Sequence, residues 1–141
     1  MTQKIIIDAG HGGTNPGATY EGRKESDDAL RLALAVGEIL AEDGFDVVYT
    51  RTDDTTQSVG EKASIANQSG ADLFISIHRN AAARDNLYNG VQTLIYGSGG
   101  LREEVAGNIA KDHVKCPEQF PASTNSVSVT PASFHTVRLP L

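Results

Sequence analysis

The sequence predicts an α/β fold: a single three-layer domain, with a twisted, mostly parallel sheet flanked by helices. Three observations predict it. Short apolar runs alternate with stretches of helical period, the pattern of strands joined by crossover helices. The run Ile5-Ile6-Ile7 is apolar without alternation, as expected of a strand covered on both faces. Two of the runs lead into histidines, His11 and His78, at the carboxyl ends of their strands. That edge is where open α/β sheets build their sites.

The elements follow in order. Residues 4–8 form the first strand, and residues 10–24 a glycine-rich loop turned by Asn15-Pro16-Gly17. Residues 25–43 form a helix, because Leu30, Leu34, Gly37 and Ala41 recur at helical spacing with Ala33, Val36 and Leu40. Glu25, Asp27 and Asp28 complement the dipole in its first turn, and Gly44 stops it. Residues 45–50 are the second strand. A polar loop at 53–58 precedes a helix at 59–69, with Ile65 and Ala66 inward and Gly70 as its stop. Residues 72–78 are the third strand, 80–89 a loop, 90–96 the fourth strand and 101–114 the third helix. Beyond Cys116 the pattern weakens. Pro117, Pro121, Pro131 and a Ser/Thr-rich run predict loop, with one short strand at 126–129 and an apolar tail at 134–141.

Composition narrows the function classes. A chain of 141 residues has room for one domain with a useful core. Its net charge of −6 gives no basic patch for nucleic acid. The single cysteine, Cys116, allows neither an internal disulfide framework nor a cysteine-based zinc site. There is no apolar stretch of the length a membrane span requires. Met1-Thr2-Gln3-Lys4 enters a strand directly, without the apolar region of a signal peptide. The expectation is a chain made in the cytoplasm as it stands, or a domain of a longer chain, with a separate export route for any function outside.

On adjacent parallel strands His11 and His78 come to one sheet edge, and Glu25 opens the helix that packs back toward it. Two imidazoles and one carboxylate are the ligand set of a hydrolytic zinc site with an open position for water. Plainer readings stand beside this one. His11 is equally a solvated turn histidine, Glu25 a carboxylate placed for the helix dipole, and His78 a strand-end histidine bonded to backbone. His113 reads as a helix-surface residue, and His135 lies in a tail without a readable pattern.

Asp8-Ala9-Gly10-His11-Gly12-Gly13 with Asn15-Pro16-Gly17-Ala18 opens a longer series of motifs. Glu25-Ser26-Asp27, Leu30, Leu34, Gly44, Thr50-Arg51, Asp53 and Ala66-Asn67 follow. Then come Ala71-Asp72-Leu73-Phe74-Ile75-Ser76-Ile77-His78, Asn80-Ala81 and Gly90-Val91. In these the chain resembles the zinc-dependent N-acetylmuramoyl-L-alanine amidases of the amidase-3 type, over about residues 4–110. The resemblance implies zinc held by His11, Glu25 and His78. It implies hydrolysis of the amide between muramic acid and L-alanine, with peptidoglycan as substrate and the bacterial cell wall as the place of action, in a phage endolysin or a bacterial autolysin. It places Asn80 near substrate and Asp8 as orienter of the glycine loop or partner of a ligand. Arg51 with Asp53 fixes the loop. The glycines are expected to let a wall glycopeptide approach the metal.

Two departures stand out. Lys62 replaces the arginine usual in the family, which loses bidentate pairing. The family also carries a catalytic glutamate on a late apolar strand, whereas no acidic residue follows Glu118 here. The expectation is an amidase-3-like catalytic domain over residues 1–141 that is C-terminally truncated, with its last strand and its glutamate beyond Leu141. No catalytic residue is therefore assigned within the chain. Two other readings compete. One is a zinc-holding but catalytically impaired peptidoglycan-binding form. The other is a metal-free flavodoxin-like or receiver-like domain using Asp8 and the Gly10 loop for phosphate, against which the loop lacks a P-loop lysine.

Overall fold

Ile5, Ile6 and Ile7 are all buried in β1 (Lys4–Ala9), so this strand has protein on both faces. The computed structural model of the chain describes residues 2–79, 91–95, 99–113 and 125–131. Within them β1 lies between β4 (Asp46–Tyr49) and β5 (Leu73–Arg79), parallel to both. Next to β5 comes β7 (Asn125–Pro131), antiparallel to it, and β6 (Val91–Ile95) pairs parallel with β7 at the end of the sheet. The strand order is β4-β1-β5-β7-β6. The expected mostly parallel sheet is present. The weak strand foreseen at 126–129 becomes a seven-residue strand inserted between β5 and β6.

Helices cover both faces. α1 (Glu25–Glu42) and α3 (Leu101–His113) pack over Ile5, Ile7, Ala9, Leu73, Ile75 and Ile77. α2 (Val59–Ser69) packs over Ile6 and Phe74 through Ala66 and Ile65. Period-two alternation of the strands thus serves two cores at once. α2 begins with a reciprocal capping box, in which Ser58 accepts from the Glu61 N–H and Glu61 accepts from the Ser58 N–H. It ends on Gly70 at φ 66°.

α1 sits on the sheet through a different stripe from the one its leucines suggest. Glu25, Ala29, Ala33 and Gly37, four residues apart, are its buried line, with Leu30, Val36 and Leu40 flanking. Leu34 and Ala41 face out. Small residues bring the helix close to the strands, and a Cβ on Gly37 would stand 1.9 Å from the Tyr49 hydroxyl. The same register carries Glu25 inward at the sheet edge.

The loop expected at 10–24 also holds a short hairpin, β2 (Thr19–Tyr20) with β3 (Arg23–Lys24). Cys116, His135, the 80–89 loop and the apolar 134–141 tail lie outside the described residues. Among those described, no helix is long and apolar enough to cross a membrane.

Candidate metal centre

The site begins where β1 stops. Gly10 N–H donates to Ile77 O at 2.9 Å, which keeps β1 and β5 together to their last residues. The chain then turns through His11 at φ 58° and Gly12 at φ 129°. Gly12 and Asn15 exchange backbone hydrogen bonds of 2.9 and 3.0 Å, closing the loop. A positive φ is uncommon outside glycine, though histidine is among the residues that tolerate it. Here it swings the imidazole back over the strand ends.

The glycines make room for the protein's own side chains. A Cβ on Gly10 would lie 2.5–2.8 Å from three atoms of the His78 ring, and one on Gly17 would lie 2.5 Å from the His11 ring and 2.8 Å from Glu25. Gly12 and Gly13 are filled in the same way by Arg51, Thr55 and Thr56. The expected opening for a glycopeptide at these glycines is thus taken by metal-site and loop atoms.

Three side-chain atoms converge at this edge. His11 Nε2 and Glu25 Oε1 are 3.0 Å apart, His78 Nδ1 and Glu25 Oε1 3.0 Å, and His11 Nε2 and His78 Nδ1 3.2 Å. Zinc holds N and O donors at about 2.0–2.1 Å, which spaces a tetrahedral set about 3.3–3.4 Å apart. The three donors stand within a few tenths of an ångström of that spacing, so the residues fit such an ion. Among the described residues they form a group able to hold a metal. The carboxylate lies at the back, its side chain 6% exposed, while the imidazoles are 23% and 35% exposed. The centre therefore opens outward on the histidine side.

Glu25 is held as an anion. Burial opposes its ionisation, but hydrogen bonds from the protonated His11 ring, from His78 and from the Ala18 N–H outweigh that and keep its carboxyl far below the usual range. The Arg79 N–H also reaches Oε1, at 3.0 Å. The protonated His11 ring donates from Nε2 to Glu25, which raises the His11 pKa above its ordinary value, against the effect of burial. The buried Arg79 side chain ties this corner together by donating to Asp28 at 2.6 Å and to Ala18 O at 3.2 Å.

Behind the loop lies a second polar cluster. Asp8 accepts from Thr50 at 2.7 Å, Ser76 at 2.6 Å and Lys62 Nζ at 2.8 Å. Burial pushes the Asp8 pKa up, but the Lys62 ammonium and these hydrogen bonds outweigh that and leave it below the ordinary value. Lys62 also donates to Ala9 O at 2.6 Å and His11 O at 3.4 Å. Arg51 donates to the carbonyls of Ala9, Gly10, Ser26 and Asp53. Arg51 fixes the loop as expected. Asp8 meets the ligands only indirectly, through the lysine that holds the His11 carbonyl.

The structure therefore brings His11, Glu25 and His78 together. Asn80 lies outside the described residues. Sequence reasoning did not foresee the burial of Lys62 or Arg79. The spacing of Lys62 and Ala66, one turn apart on the inner line of α2, was the available signal for the lysine.

Comparison with known proteins identifies the family. A family model described as N-acetylmuramoyl-L-alanine amidase matches residues 5–138. The sporulation-specific N-acetylmuramoyl-L-alanine amidase of Bacillus subtilis is 39% identical over 99 residues, covering 69% of this chain and 37% of that protein. The endolysin of Bacillus phage SPP1 is 33% identical over 120 residues, covering 82% of this chain and 44% of that protein. Among solved structures, an N-acetylmuramoyl-L-alanine amidase of Clostridium difficile 630 superposes with a TM-score of 0.74 at 26% identity, covering 91% of this chain and 78% of that one. The chain thus spans less than half the length of these two curated relatives.

Proposed function

Because the chain belongs to the N-acetylmuramoyl-L-alanine amidase family, we propose that it hydrolyses the amide between N-acetylmuramic acid and L-alanine in peptidoglycan, with zinc held by His11, Glu25 and His78. The observation that carries this reading is the convergence of three ligand atoms within 3.2 Å at the open sheet edge. A zinc ion there supplies Lewis acidity, polarising an amide carbonyl and making water acidic enough to attack near neutral pH.

The chain's own residues set the stage. Glu25, anionic and anchored by Ala18 and Arg79 backbone N–H groups, brings the negative charge that a divalent cation needs. His11 and His78 bring neutral donors and leave the outward side open for a wall glycopeptide. Residues 1–141 act as the catalytic domain, at the bacterial cell wall, in a lytic role of the endolysin or autolysin kind. Asn80, two residues past a ligand, contacts substrate in this reading.

A second reading rests on one sequence observation, that no acidic residue follows Glu118. A general base contributes about 10²–10⁴-fold to such a reaction. A chain without one holds zinc and binds the wall but cleaves it poorly. Purified peptidoglycan, incubated with the protein with and without a chelator, separates the two. Release of L-alanine amino termini that stops with chelator supports the hydrolase. Zinc-dependent binding without release supports the impaired form, and wall chemistry indifferent to chelator overturns both.

A further inference from the structure

We propose that Asn15 is a positioning residue for the metal centre: its side-chain carbonyl holds His11 in the Nδ1–H tautomer and so leaves Nε2 bare toward Glu25 and His78. The inference deepens the metal reading above and rests on it.

The orientation of the Asn15 amide is settled by a neighbour that only donates. The Gly17 backbone N–H points at one atom of that amide at 3.1 Å. A backbone N–H cannot accept, so the atom is the carbonyl oxygen Oδ1. His11 Nδ1 lies 3.1 Å from the same oxygen. Since an amide oxygen only accepts, Nδ1 carries a hydrogen and donates it. In a neutral imidazole the other nitrogen is then bare. That nitrogen, Nε2, is the one standing 3.0 Å from Glu25 Oε1 and 3.2 Å from His78 Nδ1.

A competing arrangement makes this hold necessary. Glu25 Oε1 is an ionised oxygen at hydrogen-bond distance from Nε2, and a proton placed there would form a strong charge-assisted bond. Without an acceptor at Nδ1, the neutral ring would take its hydrogen on Nε2 and block its own lone pair. Asn15 offers an acceptor on the opposite side of the ring. It is itself fixed, because Gly12 and Asn15 exchange backbone bonds and the next carbonyl, Pro16 O, accepts from Ser26 N–H at 3.0 Å. The turn that carries Asn15 is therefore locked to the first turn of α1, where Glu25 sits.

The test reads the tautomer directly. Long-range proton–nitrogen correlation spectra of ¹⁵N-histidine-labelled, metal-free protein, at alkaline pH where the ring is neutral, assign the hydrogen to one nitrogen of His11. Zinc affinity is measured in parallel by competition with a chromophoric chelator. The wild-type ring is expected as Nδ1–H. Asn15→Ala is expected to populate Nε2–H and to weaken zinc by about 10–100-fold, the usual cost of losing an outer partner of a ligating histidine. Asn15→Asp keeps an acceptor and is expected to restore both the tautomer and most of the affinity. A wild-type ring found as Nε2–H overturns the proposal without any variant. So does Asn15→Ala with unchanged tautomer, even if its affinity falls, because that pattern is loop scaffolding. A wild-type chain that binds no zinc overturns the metal reading instead, while the metal-free spectra still decide the tautomer.

Discussion

Two polar clusters lie side by side at the carboxyl ends of β1 and β5, and they differ in how they are satisfied. In the rear cluster Asp8 faces only donors, namely Thr50, Ser76 and Lys62, and Lys62 and Arg51 spend their hydrogens on backbone carbonyls. In the front cluster two imidazoles and a carboxylate face one another at 3.0–3.2 Å. Shared protons satisfy such a trio only in pairs, whereas one divalent cation satisfies all three lone pairs. The first cluster is complete within the protein and holds the loop. The second opens outward on its histidine side and is able to hold a metal ion, which in the reading proposed above completes it.

Replacing a ligand should break the front cluster with the largest effect. His78→Ala is expected to lower zinc affinity by more than the ~10–100-fold that outer-partner changes cost. Wall hydrolysis, read as released amino termini, should be lost with it. Urea melts of the metal-free variant should remain close to those of the metal-free wild type. A variant that unfolds in chelator when the wild type does not would show that this cluster, too, is scaffold.

Lys62→Met should break the rear cluster in the opposite way. It leaves Asp8 buried and unpaired, and removing one member of a buried pair costs about 3–5 kcal/mol. The loss appears in urea melts of the metal-free chain. Folded Lys62→Met protein should still bind one zinc, and the double change Asp8→Asn with Lys62→Met should recover part of the stability. Loss of zinc with stability intact would move Lys62 into the site.

Both clusters were partly legible in the sequence, for different reasons. His11 and His78 were visible because an apolar run marks a strand end, and Glu25 because it opens a helix. Sequence patterns locate such ends well. Lys62 stands out in the sequence as a departure from an arginine, and its spacing from Ala66 puts it on the inner line of α2, but nothing local announces that it reaches Asp8. The apolar positions read in α1 include Ala33 and Gly37, which close packing keeps inside with Ala29, and Leu34 and Ala41, which it leaves exposed, because period alone does not say which of them faces the sheet. The hairpin in 10–24 has two residues per strand, too few for periodicity to register. β7 was undervalued because its serines and threonines read as loop. Its position between β5 and β6 depends on long-range pairing that no local pattern encodes.

Gly10→Ala sharpens the contrast at a smaller scale, because it touches the front cluster from behind. The added methyl would meet His78 Cε1 at 2.5 Å, so the ring must shift. Overpacking of this kind costs about 1–3 kcal/mol. Zinc affinity should fall several-fold, by less than for His78→Ala, and the melting of the metal-free chain should change modestly. Unchanged affinity would mean that the His78 ring is free to relocate and that the glycine serves the turn alone.

The smallest effect is a difference in pH response, and its sign separates the clusters. The His11 pKa is raised in the folded chain through its bond to Glu25. In metal-free protein that pair therefore stabilises fully below the unfolded value near 6.5, and its contribution is lost as pH rises through the raised folded value. Zinc reverses the slope, because it needs the bare ring nitrogen, so the stability gained from zinc grows over the same interval. Asp8 is lowered in the folded state, and its contribution is present above the ordinary value of 3.8 and lost only as pH falls through the lower folded one. The rear cluster is therefore silent near neutrality. Urea melts in chelator and in zinc, taken from pH 6.5 upward, should diverge with pH. Parallel curves would mean that proton and metal do not compete at His11 Nε2, and the two clusters would then no longer differ in kind.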